Sequence, residues 1–350
     1  MPYAPCPMPV WNQYSSTPTL HCEAMLELDL TILLAGVVAG AAPIVLATLG
    51  ETITEKAGLI NLSLDGSILL SAMAAFAIAF ETNSVLAGFV GGALVGALMA
   101  LVVAVFSIYL GQNQVAVGFV LTLMGRDLAY FIGNPYSRIQ GPQVKPLSVP
   151  LLDQIPFLGD LFFHHNLPVY LSLVMIFVCW WYIYRTPYGL ELRSVGEHPR
   201  ASFARGINPQ KLQLLYAVCG GLLVGLAGAT FSLATKPGWG RPQGAEGSGW
   251  IALALVIFGG WNPVRAAIGA YLFSFLQVFG IYLQGWLPSV PAQVFQVAPF
   301  PLMIFTLLVM SVAQKESVTI WAEGKTHVKA VLNMLSGMAP SALGKPYRPE

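Results

Sequence analysis

Long apolar runs recur along this chain at intervals too regular, and with too few charges, for any solvent but a lipid bilayer. An α-helix needs about 20 mostly apolar residues to cross the hydrocarbon core, and candidates fall near 29–49, 58–80, 84–110, 114–133, 168–184, 212–234, 248–261, 264–285 and 297–313. Only 9% of the residues are charged, against roughly 25% in a soluble globular domain, so the chain could not cover its surface in water. Runs such as residues 68–76 do not alternate polar with apolar, which excludes a β-barrel wall. The expected fold class is therefore all-α, a polytopic integral membrane protein of about nine transmembrane helices. Segment 248–261 is short enough to be re-entrant, and 58–80 begins with polar residues and reads as broken.

Three stretches follow from this partition: an N-terminal extension at 1–25, a transmembrane domain at 26–313 and a C-terminal tail at 314–350 read as interfacial or flexible. The extension has no basic n-region and no apolar h-region, so it does not read as a secretory signal, and Met25 is an equally good initiator. Basic residues set orientation. Arg185, Arg193, Arg200, Arg205 and Lys211 cluster between two spans, five more follow the last span, and residues 1–28 carry none. This puts 185–211 and the C-terminus in the cytoplasm, the N-terminus outside, and 134–167, with its five prolines, in a structured outer loop. Net charge is +1, which gives nucleic acid nothing to bind. The four cysteines lack ligand spacing, and no nucleophile elbow, Walker A loop or dinucleotide fingerprint occurs, so neither a catalytic nor a metal set is expected.

The polar islands between the spans carry the functional signal. In 185–211, Pro199 starts a short helix expected over 199–205, after Gly196, Glu197 and His198, and Gly206 is placed to end it ahead of Ile207, Asn208 and Pro209. A short amphipathic helix at the cytoplasmic face and a merely solvated basic loop are both compatible with this spacing. Glu51 and Glu55 share a helix face, as do Asn61 and Asp65 at the start of an apolar run ending its polar part at Gly66. They read either as a polar element at the mouth of a pathway or as helix capping groups. Gln112, Asn113 and Gln114 form an amide turn. Arg126 and Asp127 lie inside a span, where ions are costly and commonly functional, or else form a structural pair. Gly249 and Trp250 open a short helix ended by Gly259, Gly260, Trp261, Asn262 and Pro263, which suits a half-helix lining a cavity or an ordinary hairpin. Gly36 and Gly40, and Gly88, Gly91, Gly92 and Gly96, have the spacing of close helix packing.

Three ordered motifs resemble the integral membrane permeases of bacterial ABC importers in the branched-chain amino acid/ribose-type superfamily, and within it those associated with simple sugars and nucleosides. They are Leu49-Gly-Glu-Thr-Ile-Thr-Glu-Lys-Ala-Gly-Leu-Ile-Asn-Leu-Ser-Leu-Asp-Gly66, then Gly196-Glu-His-Pro-Arg-Ala201 with Ala204-Arg-Gly-Ile-Asn208, then Trp250-Ile-Ala-Leu-Ala-Leu-Val-Ile-Phe-Gly-Gly-Trp-Asn-Pro263. The likeness extends over about residues 30–312. It implies that Gly196–Asn208 is a coupling helix docking into an ATP-binding subunit, with Gly196, Glu197, Pro199, Arg200, Ala201, Arg205, Gly206, Ile207 and Asn208 at that contact. It implies two ATPase subunits that bind the ATP and Mg, a second, different permease chain, and an extracytoplasmic solute-binding protein, all at a bacterial inner membrane. Asn61, Asp65, Gly66, Gln112, Asn113, Gln114, Gly249 and Trp250 are then expected along the solute path. The chain departs from the pattern at Ser63, Asp65 and Thr122, where such permeases commonly carry Gly, Glu and Asn, and in its Arg126–Asp127 pair. The competing expectation is an ion-coupled secondary transporter using Asp65, Arg126 and Asp127.

Overall fold

A computed structural model describes residues 30–148, 164–286, 290, 294, 301, 304, 305, 308, 337, 339–345 and 347. The expected extension at 1–25 and most of the expected tail at 314–350 lie outside these residues, as does nearly all of the expected span 297–313. Among the described residues ten α-helices, α1 to α10, follow one another: Leu30–Lys56, Leu64–Thr82, Val85–Ile108, Gln114–Gly133, Leu167–Arg185, Pro187–Glu197, Pro199–Ala204, Pro209–Thr230, Ser248–Phe258 and Pro263–Trp286. A π-helical turn, Phe231–Thr235, prolongs α8. Two short strands, β1 (Pro146–Ser148) and β2 (His164–Asn166), pair antiparallel with Leu147 opposite His165. They lie within the described parts of the 134–167 segment.

Seven helices (α1 to α5, α8 and α10) are long and apolar enough to cross a membrane, among the described residues. α9 is not. Its 11 residues reach only about 16 Å, so this segment is too short for a full span, in line with the shortness of the apolar run. α1 also outruns its expected end at 49 and continues to Lys56, carrying Glu51 and Glu55 into its last turns. The expected span 58–80 is broken as anticipated, with helix starting only at Leu64.

The core is built by close backbone approach. α3 and α8 pack together through Gly92, Gly96, Gly221 and Gly225, and α1 meets α8 where Gly50 opposes Gly220. A Cβ on Gly96 would overlap the Gly221 carbonyl and the Gly225 backbone, and one on Gly225 the Gly92 carbonyl. Without water to drive helices together, dispersion between such small residues is what holds them. Gly36 does not share this role, since a Cβ there would meet Val278 at an ordinary 3.7 Å. The outer surface is apolar. Leu86, Val90, Leu94 and Leu98 recur every fourth residue on α3, all exposed, as a lipid-facing stripe should be.

Candidate functional site

The 185–211 island folds as an elbow at the end of the bundle where α1 finishes. Thr186 caps α6, its hydroxyl accepting from Gly189 N at 3.0 Å, and Pro187 occupies the first turn, where a missing N–H costs nothing. α6 buries Gly189, Leu192, Val195 and Gly196. After His198 the chain restarts at Pro199 as α7. The stop of α7 is a Schellman motif: Ile207 N donates to Ser202 O at 3.1 Å and Gly206 N to Phe203 O at 2.9 Å. Gly206 has φ +87° with nothing within 4 Å of a built Cβ, so backbone handedness alone requires glycine there. Asn208 then caps α8, accepting from Lys211 N at 3.2 Å. α7 is thus fixed by its C-terminal stop and by its buried Ser202, which donates to the Ser194 hydroxyl of α6 at 3.1 Å. Arg200, Ala201, Phe203, Ala204 and Arg205 face away from the bundle.

Two members of the expected contact surface sit elsewhere. Gly196 is the penultimate residue of α6, not a lead-in to α7, and is buried where a Cβ would overlap Lys56 O. Glu197 accepts two hydrogen bonds from Ser341, at 3.1 Å from its N and 2.8 Å from its hydroxyl. Pro199 and Ile207 are half-buried, and Asn208 is exposed.

The residues expected along the solute path form, in the main, a buried polar node. The turn at 57–63 dips into the bundle, and side chains from three helices, α1, α4 and α8, bond to it. Asn61 N donates to the Glu51 carboxylate at 2.9 Å, Ile60 N to Gln114 Oε1 at 2.9 Å, Gln213 Nε2 to Ala57 O at 3.0 Å and Thr122 Oγ1 to Leu62 O at 2.6 Å. The Asn61 side chain closes a local turn by accepting from Ser63 N and Oγ. Asp65 accepts from Gly249 N at 3.2 Å, and Trp261 Nε1 donates to Glu55. Asn61, Asp65, Gly66, Gln114 and Gly249 are therefore packed, not solvent-lining. The reason is depth: non-helical backbone at this level must find its partners inside the protein. Gln112 and Asn113 are exposed, but Asn113 spends its side chain capping α4, with Val115 N and Ala116 N as donors. Of the expected path residues in the membrane, Trp250 alone is open, its ring 6.2 Å from Phe119 on α4.

Trp261 and Gln213 hold bonds in this node that no motif in the sequence assigns to them. The available signal was chemical. A buried indole N–H needs an acceptor, and the buried acids of α1 need donors. Trp261 holds φ +56°, an unusual conformation for a bulky residue, kept where its ring is anchored to Glu55. Trp261→Phe keeps an aromatic ring at this buried position but deletes the N–H donor together with part of the indole's packing. It should lower stability by about 1–3 kcal/mol, read as a lower melting temperature in detergent. An unchanged melting temperature would show the bond to be dispensable.

At the opposite end, the 236–247 loop folds around Glu246, whose carboxylate accepts from the Tyr130 hydroxyl, from Gln243 N at 2.8 Å and from Gly244 N at 2.6 Å. Arg241 lies 4.9 Å over the Tyr130 ring, and the Trp239 ring sits tilted against that of Tyr130 with 5.6 Å between centroids. An open cavity of about 390 Å³ is lined by Asp127, Tyr130, Phe131, Asn134 and Arg241. Arg126 and Asp127 are both exposed on α4, while Asp65 is buried in the node. The three charges proposed for ion coupling are thus not gathered into one buried site.

A lipid-facing helical bundle with a half-helix packed on an internal polar node, and a clamped short helix projecting from one end, defines a multi-pass membrane transport protein. The chain belongs to the family described as branched-chain amino acid transport system / permease component, which matches residues 33–308. It is 38% identical over 256 residues to a putative glucose ABC transporter permease protein of Haloferax volcanii, covering 72% of this chain and 78% of that one. It is 30% identical over 316 residues to a nucleoside ABC transporter permease protein of Lactococcus lactis (86% and 98%). A guanosine ABC transporter permease protein of Bacillus subtilis is 30% identical over 297 residues (79% and 91%). No solved structure matches.

Proposed function

We propose that this chain is one permease half of an ATP-driven importer for a nucleoside or related heterocycle, with a simple sugar as the second choice of solute. ATP and Mg are bound by a separate subunit, whose movement reaches the path through α7, and an external solute-binding protein delivers the cargo. In this reading the α7 end of the bundle is cytoplasmic. The observation that carries it is the clamped α7, a short rigid helix whose outward side bears Arg200 and Arg205. A merely solvated basic loop has no need of a Schellman stop, a capped restart and a buried serine contact. Of the three relatives described above, one is a nucleoside and one a guanosine permease, which supports the choice of cargo.

Arg126 and Asp127 point to where the second half sits. Arg126 lies about 18 Å along α4 from Gln114, near the middle of the span. A charge at that depth costs about 2.5–3.5 kcal/mol against lipid, yet both side chains are exposed on the isolated chain. This face of α4, with Phe119 and Trp250 beside it, therefore turns toward the second permease chain and the water-filled path between the two. Aromatic rings there offer stacking surfaces to a heterocycle.

The test is assembly. Purified from its native membrane, the chain should carry an ATP-binding subunit in stoichiometric amount, and the complex should accumulate radiolabelled nucleoside in vesicles only when ATP is supplied. Nucleoside uptake by the purified chain alone, driven by an ion gradient, would replace this reading with secondary transport.

A further inference from the structure

We infer that the C-terminal segment around residues 339–345, together with Tyr347, forms the second wall of the socket that receives the ATP-hydrolysing subunit. The inference rests on the proposal that α7 is the coupling helix, and deepens it. The tail was expected to be interfacial or flexible, but this part of it is fastened. Ala342 N donates to Gly196 O and Gly344 N to Gly58 O, both at 3.0 Å. Ser341 binds Glu197 through two hydrogen bonds. Pro340, Ala342 and Tyr347 are buried, and the Tyr347 ring lies 5.8 Å from Phe203 of α7. Gly337, just before, packs on Gly260 at the end of α9.

The segment thus runs as a strap across the ends of α1, α6 and α9 and touches α7. Between strap and α7 lies an open cavity of about 610 Å³, with Arg200, Ala201, Lys345 and Tyr347 in its lining. Arg200 and Lys345 are both exposed. The nearby carboxylate, Glu197, is taken up by Ser341 and offers its charge to the strap, not to the opening. A socket with cations on its rim and an alanine and a tyrosine in its lining suits a protein segment that presents a carboxylate beside apolar atoms. The strap also adds a mechanical route. A load on this socket reaches Gly58, where the chain turns into the polar node, and Gly260, beside the indole that holds Glu55. α7 alone reaches the bundle through α6 and α8.

The experiment places a photoreactive phenylalanine analogue at position 201 or 345 in the full importer in membranes. Capture of the ATP-binding subunit from both positions is expected. Capture from 201 but not 345 would reduce the strap to an internal brace and overturn the inference, leaving the coupling role of α7 intact. Capture from neither would sink both. Lipid in place of protein at 345 would make the cavity a headgroup site and equally overturn it. Lys345→Glu, at an exposed position that leaves the strap's hydrogen bonds in place, should reduce the co-purified ATP-binding subunit about tenfold at moderate salt. Undiminished co-purification would count against the socket.

Discussion

Replacing Gly249 by valine should abolish the folded chain. A Cβ at this position overlaps Asp65 N, Asp65 Cα and the Leu64 carbonyl carbon, so no side chain can rotate to make room. α9 would have to back away from the start of α2, and three contacts would go with it: Gly249 N to Asp65, Trp250 on Phe119, and Trp261 to Glu55. Overpacking where side chains can yield costs about 1–3 kcal/mol. With backbone opposing backbone the penalty should reach the order of 4 kcal/mol or more, in the range that unfolds marginal proteins. The measurement is the monodisperse fraction on size-exclusion chromatography after solubilisation, together with the melting temperature. Gly40→Ala is the control. Its Cβ would meet only the Ser274 hydroxyl, at 2.9 Å, a group that can turn aside, and its effect should stay near 1 kcal/mol. Parent-like elution and melting of Gly249→Val would mean that α9 does not pack on α2 as described.

Arg200→Glu should cut ATP-dependent uptake by at least about tenfold while the chain inserts and folds normally. The side chain is exposed, and α7 is held by its Schellman stop, by Ser202 on Ser194 and by the Asn208 cap of α8, none of which involves the guanidinium. Reversing a charge at a docking contact replaces attraction by like-charge repulsion, and 1.4 kcal/mol suffices for a tenfold loss of association. The informative comparison is Lys211→Glu, also exposed and in the same basic loop. It lowers the loop's positive charge equally. If both variants lost uptake alike, the cluster would be acting as a topological signal under the positive-inside rule, and the docking role of α7 would fail.

The two ends of α7 show what could be read directly. Pro199 at a first turn, Gly206 after the last, and Asn208-Pro209 reopening the next helix are local rules of backbone geometry, and the structure obeys each of them within one residue. The polar node was legible as composition but not as arrangement. Glu51, Asn61, Asp65 and Gln114 stood out because polar groups in an apolar chain are expensive, and that expense was assigned to a water-filled path. It is met instead by mutual hydrogen bonds, because the 57–63 turn enters the bundle to a depth where backbone groups have no water. The partner of Glu55 lies 206 residues away in sequence, and no local period announces such a pair.

By itself the sequence determined the solvent, the helical class and the punctuation of the 185–211 elbow. Each of these follows from short-range costs: desolvated backbone, apolar length and restricted φ. Only the tertiary structure decided that α9 stops halfway, that Gly196 is packing and not contact, that Asn61 and Gln114 face inward, and that the end of the tail is strapped beside α7. Those outcomes depend on which surfaces meet across long chain separations, and such meetings are set by the shape of the assembled bundle.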